Sequence, residues 1–145
     1  MNLPDDKLLQ LLSSQELEII KKLNTPEKVQ TFIDNNVRYD LNFEKYLAPL
    51  NVLRTGKAIC LDAATFAGFV MEYHGYEWCL VYLHPVRDED HVLCVYEYNG
   101  KYGAIAQSKF IGLKGRPCIF NSVLDLVQDY INSYFNFEGE LTLRA

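Results

Sequence analysis

Two residues in this chain have the type and setting for covalent chemistry. Cys60 closes the stretch GKAIC and stands where an apolar, alanine-rich segment, LDAATFAGFVMEYHG, begins. His91 follows the acidic run DED and opens the alternating run HVLCVYEY. A thiol attacks carbonyl carbon as thiolate, and a free cysteine is mostly protonated at neutral pH. A helix N-terminus favours the anion through its unpaired N–H groups and its dipole. Lys57, three residues earlier, would add positive charge, and Gly56 allows a sharp approach to the helix. A histidine can take the thiol proton and return it to a leaving group. Each residue also has an ordinary reading, Cys60 as a buried thiol in an apolar helix and His91 as part of a solvated acidic loop. Their pairing at a helix start and a strand start favours a nucleophilic site.

The other candidate ligands point elsewhere. Cys79 and Cys94 lie inside strand-like runs and read as small core hydrophobes, and Cys118 before IFNSV is also expected to be buried. There is no CxxC, and the three histidines are not paired at helical spacing, so no metal or other cofactor is implied. His74 falls at a helix end and His84 before a proline, both structural settings.

The totals narrow the class. A chain of 145 residues suits one domain over residues 1–145 with one core. Hydrophobic residues make up 49%, including 8 Phe and 10 Tyr, which argues against disorder. A net charge of −5 and a pI near 5.1 lack the basic footprint of a nucleic-acid binder. No apolar run approaches the roughly 20 residues of a membrane span. MNLPDDKLLQ has no basic region ahead of an apolar core, so a cytoplasmic protein is expected. Four cysteines in a chain of this size do not require disulfides.

The pair must be positioned by the elements around it. Residues 1–40 read as a helical N-terminal part. Leu8, Leu11, Leu12, Leu17, Ile20 and Leu23 form its stripe, with Ser13 as a cap between two short helices. Thr25-Pro26-Glu27 starts a second helical segment that stops near Asn35-Asn36. Asn51–Arg54 adds a turn before Gly56. The helix from Cys60 to about His74 carries Ala63, Ala64, Ala67 and Gly68 on one side, so it can approach a sheet closely, and Gly75 caps it. Strands are expected over EWCLVYL, HVLCVYEY and KYGAIAQ, with Asn99-Gly100 as a two-residue hairpin turn. Residues 110–117 read as loop. A last helix runs from Asn121 or Ser122 to about Tyr134, and LTLRA is a short strand or a loose tail.

The hairpin fixes a register. If Tyr98 pairs with Lys101, His91 falls opposite Ser108, and Leu93 and Ala106 share its face while Gln107 points away. A bulge at the turn would bring Gln107 round instead. A third catalytic member should accept the imidazole N–H and hold one tautomer, and Ser108 or Gln107 could do so through oxygen.

The order of these parts, with AICLDAA, DEDHVLCVYEYNGKYGAIAQSKF and RPCIFNSVLDLVQDY, resembles the transglutaminase-like superfamily and within it a bacterial group. The resemblance covers roughly residues 45–135, the core. It implies an α+β, papain-like single domain in which the N-terminal catalytic helix packs on an antiparallel sheet. It also implies Cys60 as nucleophile and His91 as general base. The superfamily's third-member aspartate falls at or near Ala106 here, a departure from its pattern. The function implied is cysteine-dependent acyl transfer on peptide or protein amides, by hydrolysis or transamidation through a Cys60 thioester. The alternative, prompted by Ala106, is a binding or scaffold module that keeps the fold without efficient chemistry.

Overall fold

The computed structural model describes residues 6–144. The first five residues of the expected N-terminal helical part, and Ala145 of the tail, lie outside them. The N-terminal stretch folds as α1 (Asp6–Gln10) and α2 (Ser14–Lys22). They divide at Ser13, whose hydroxyl accepts from Glu16 N–H while the Glu16 carboxylate accepts from Ser13 N–H. Ile20 and Leu23 are buried, but Leu11 is exposed because it falls in the turn after α1. α3 (Pro26–Asn36) starts on the Thr25 hydroxyl cap with proline at its first position, and buries Val29 and Ile33.

The mixed segment after α3 holds an element that sequence periodicity did not suggest. Strand β1 (Arg38–Tyr39) pairs in parallel with β2 (Lys57–Ala58), Tyr39 lying beside Ala58. Two residues per strand are too few to show a period. Between them α4 (Pro49–Thr55) is longer than the expected turn, since Pro49 serves as its first residue. Gly56 closes α4 at φ +64°, a left-handed geometry that turns the chain into β2 and on to the next helix.

That helix is α5 (Cys60–Tyr73). Its small face meets the sheet: a Cβ on Gly68 would lie 2.3 Å from the Trp78 ring. Gly75 follows it at φ +80°. The sheet has the order β3 (Glu77–Leu83), β4 (His91–Tyr98), β5 (Lys101–Ile105), β6 (Arg116–Phe120), all antiparallel. Tyr98 pairs with Lys101 across Asn99-Gly100 without a bulge, and the ladder runs back to Cys94 beside Ile105. β5 therefore stops two residues short of the expected run. β6 occupies part of the stretch expected to be loop: Pro117 stands in an outer strand, where its missing N–H costs no ladder bond in the interior of the sheet.

The sheet separates two apolar clusters. Val92, Cys94, Tyr96 and Ile105 face α3 and α5, together with Phe66, Ala67, Val70 and Trp78. Leu83, Leu93, Val95, Ala104 and Ala106 face α6 (Val123–Asp129) and the segment after it, against Leu126, Tyr130 and Tyr134. Cys94 is buried as expected. Cys79 is not: it is exposed on edge strand β3, on the side away from Trp78 and Leu80. Cys118 is only partly buried. The tail contributes one bridge, Leu141 with Phe135, and Leu143 is buried.

Candidate active site

Cys60 is the first residue of α5 because β2 and the extended Ile59 deliver the chain there. Asp62, buried on the first turn, holds that start: its carboxylate accepts Leu47 N–H at 3.0 Å and Ile59 N–H at 3.5 Å. The Cys60 thiol lies within reach of its own N–H and those of Leu61 and Val92, all of which favour the anion. Burial opposes them and dominates, pushing the thiol above its usual range. The Lys57 amine, expected to help, turns to Asp40 at 4.0 Å and is not among the main influences on the thiol. Cys60 rests as a thiol.

His91 opens β4 beside Leu83 of β3 and is 3% exposed. Its Nε2 lies 2.5 Å from the Leu113 carbonyl. A carbonyl only accepts, so Nε2 carries the proton and Nδ1 the lone pair. No side-chain nitrogen or oxygen is both fully buried and without a partner among the described residues, so Nδ1, which has no hydrogen bond, keeps a small accessible surface. Burial holds the imidazole down to about 4; the Leu113 carbonyl works against this and the Arg116 charge adds to it. At neutral pH the ring is an uncharged base.

Both residues line one cavity of about 680 Å³. Cys60 touches the peptide N–H of Val92, the residue after His91, although no hydrogen bond joins the thiol to the imidazole. Ser108 also lines the cavity, and Gln107 does not. Neither stands behind His91. The strands part after Ile105, so the register that set Ser108 opposite His91 is not realised as a pair. The Ser108 hydroxyl accepts Phe110 N–H at 3.0 Å. Gln107 donates to the Val37 carbonyl at 2.6 Å and accepts Ser108 N–H, tying the strand end to α3. Ala106 is buried beside Leu93 in the α6-side cluster. The place of a third side chain is taken by a main-chain oxygen, Leu113, whose own side chain is buried in the same cluster.

Tyr39 is the site residue that the sequence did not reveal. Strand β1 sets it against Ala58 of β2, two residues before Cys60, and it lines the cavity. Burial, followed by the Cys60 thiol and nearby acids, raises its phenol to about 12, so it remains a proton donor. Its only trace in the sequence is an aromatic residue in a segment without clear periodicity. The outer wall of the cavity includes Phe110, Ile111 and Phe137, all exposed, and Asp88, Glu89 and Asp90 lie on its acidic side. Glu89 is paired with Lys109 and Asp90 with His84. Among the described residues no group of three His, Cys, Asp or Glu could hold a metal ion, and no helix is long and apolar enough to cross a membrane.

No protein-family model matches the chain, and no curated protein does. Among solved structures, a crystal structure of a TGase superposes with a TM-score of 0.52 over 90% of this chain at 18% identity. The likeness is one of fold. The chain has a transglutaminase-like arrangement of helices and antiparallel sheet, and it spans 40% of that neighbour's length.

Proposed function

We propose that this protein is a cysteine-dependent acyl-transfer enzyme acting on amide bonds of peptides or proteins. One observation carries the reading: Cys60, at a helix start, and a buried, neutral His91, whose lone pair is on Nδ1, line the same cavity. In the reaction, His91 Nδ1 takes the thiol proton as Cys60 sulfur bonds to the amide carbon. The carbon–nitrogen bond then breaks, and the imidazolium returns the proton to the departing amine, leaving a thioester. Water or a second amine, deprotonated by the same nitrogen, releases the acyl group. The Cys60 N–H, one of the unpaired donors of α5, and the Tyr39 hydroxyl supply protons for hydrogen bonds to the oxyanion. The exposed Phe110, Ile111 and Phe137 suit an apolar side chain next to the reacting amide.

The second reading, a binding module with the same fold, is favoured by the resting state: a protonated thiol, no bond between thiol and imidazole, and no carboxylate behind the ring. Acid-quenched peptide mass spectrometry after incubation with glutamine-containing peptides separates the two. The enzyme reading expects the mass of an acyl group on the Cys60 peptide, absent from Cys60→Ala and reduced by His91→Gln by roughly 10²-fold or more, the usual contribution of a placed general base. Peptide binding without any acyl-Cys60, with or without an added primary amine, would establish the module instead.

A further inference from the structure

The carbonyl behind His91 belongs to a short turn, and one side chain organises that turn. Arg116, at the start of β6, donates through Nη2 to the Gly112 carbonyl at 2.8 Å, and through Nη1 to the carbonyls of Lys114 at 3.1 Å and Gly115 at 3.3 Å. The Tyr130 hydroxyl also donates to Lys114, at 2.6 Å. Leu113, inside this set, has the one carbonyl of residues 112–115 that turns to His91. The guanidinium is itself fixed: it lies 3.9 Å from the centre of the Tyr130 ring, and Nε donates to Asp129 at 2.6 Å. A planar fork with several donors can hold three carbonyl directions at once; a lysine amine is a single point.

We propose that Arg116 is a positioning residue for the base: by gathering the carbonyls of Gly112, Lys114 and Gly115 it aims the Leu113 carbonyl at Nε2 and so keeps the His91 lone pair on Nδ1. The main chain here does what an orienting carboxylate does in a side-chain triad. A main-chain acceptor is neutral, so the ring gains orientation without the charge that would favour imidazolium. The inference rests on the proposed acyl-transfer role for its purpose, but not for its geometry.

The test is ¹⁵N NMR of the His91 ring with acyl-Cys60 formation measured on the same samples. The charged and titratable groups around the ring are Tyr130 packed against it, Arg116 with Asp129 on the far side of the guanidinium, Cys60, Tyr39, Lys109 and Tyr134 along the cavity, and Asp88, Glu89 and Asp90 before it on the chain. In the wild type, Nε2 is expected to show the protonated signature and Nδ1 the lone-pair signature from pH 8 down to about 5. Arg116→Met is expected to give a tautomer mixture and to slow acylation about tenfold or more, part of what a placed base contributes. Arg116→Lys keeps the charge and loses the fork, so it is expected to show the same mixture with a smaller change in the ring's titration. A folded Arg116→Met protein with a single Nε2–H tautomer and an unchanged acylation rate would overturn the proposal. If Arg116→Met does not fold, Arg116→Lys decides by the same readout. Failure of both to fold makes Arg116 a folding residue and also overturns it. If the wild type forms no acyl-enzyme, the proposed function falls, while the tautomer comparison still decides the role of Arg116.

Discussion

His91 shows how burial sets the working state of a single group. Folded, the ring takes a proton only near pH 4; unfolded, it does so near its ordinary value of 6.5. Between those values the unfolded chain binds more protons, so stability rises with pH. The sign is that of a depressed base: stability is complete above about 6.5 and is lost as pH falls towards 4. The difference amounts to something on the order of 3 kcal/mol. Urea melts at pH 7.5 and 4.5 are expected to show this fall in the wild type and a clearly smaller one in His91→Phe. Equal falls would show that other groups carry the acid sensitivity. Cys60 is shifted towards its neutral form in the same way, upward by burial. Alkylation of Cys60, read peptide by peptide against exposed Cys79, is therefore expected to be slow near pH 6 and to rise towards pH 9. The helix dipole and three nearby N–H groups are real contributions, and desolvation outweighs them.

At the scale of elements, α5 is the part that the proposed function requires to stay in place, because its first residue is Cys60. Its seat is the contact between Gly68 and Trp78, where an added Cβ would fall 2.3 to 2.6 Å from ring carbons of β3. Gly68→Val must push helix and strand apart, at a cost on the order of 1–3 kcal/mol for overpacking and without the helix-propensity gain that alanine would bring. A melting temperature lowered by about 5 °C or more is expected. Acyl-Cys60 formation is expected to fall further than stability does, since the N-terminus of α5 would leave Val92 N–H. The composition of the small face announced this close approach. The partner ring was not legible, because nothing local tells Trp78 which side of its strand will be covered.

For the whole molecule, the site depends on ties between the N-terminal helices and the far end of the sheet. The Gln30 side chain accepts Ala106 N–H at 2.9 Å and donates to the Ala106 carbonyl at 3.0 Å, standing in for a strand neighbour just past the end of β5. Gln107 adds its bond to the Val37 carbonyl, next to β1 and Tyr39. Gln107→Leu leaves buried main-chain groups without partners, and a loss of about 1–3 kcal/mol in chemical denaturation is expected. If Gln107 were instead the group behind His91, this variant would also scramble the imidazole tautomer. The hydrogen bonds predict that the tautomer stays as it is.

Much of the arrangement was legible in local chemistry. Cys60 at a helix start, the capped N-terminal helices and the Asn99-Gly100 hairpin with its unbulged register all follow from spacing and turn residues, because each is decided within a few positions of chain. Extending that register to Ser108 did not succeed, because pairing ends where Gln30 captures Ala106, and side chains 76 residues apart in sequence leave no local signal. Strand β1 and Tyr39 were hidden for the same reason: their partner is β2, across α4. What stands behind His91 could be decided only by the tertiary structure. Every residue carries a carbonyl, so no residue type marks the one that will orient an imidazole. Arg116, bonded through two nitrogens to its own turn and through the third to Asp129, aims that carbonyl, and it reads in sequence as one more surface cation.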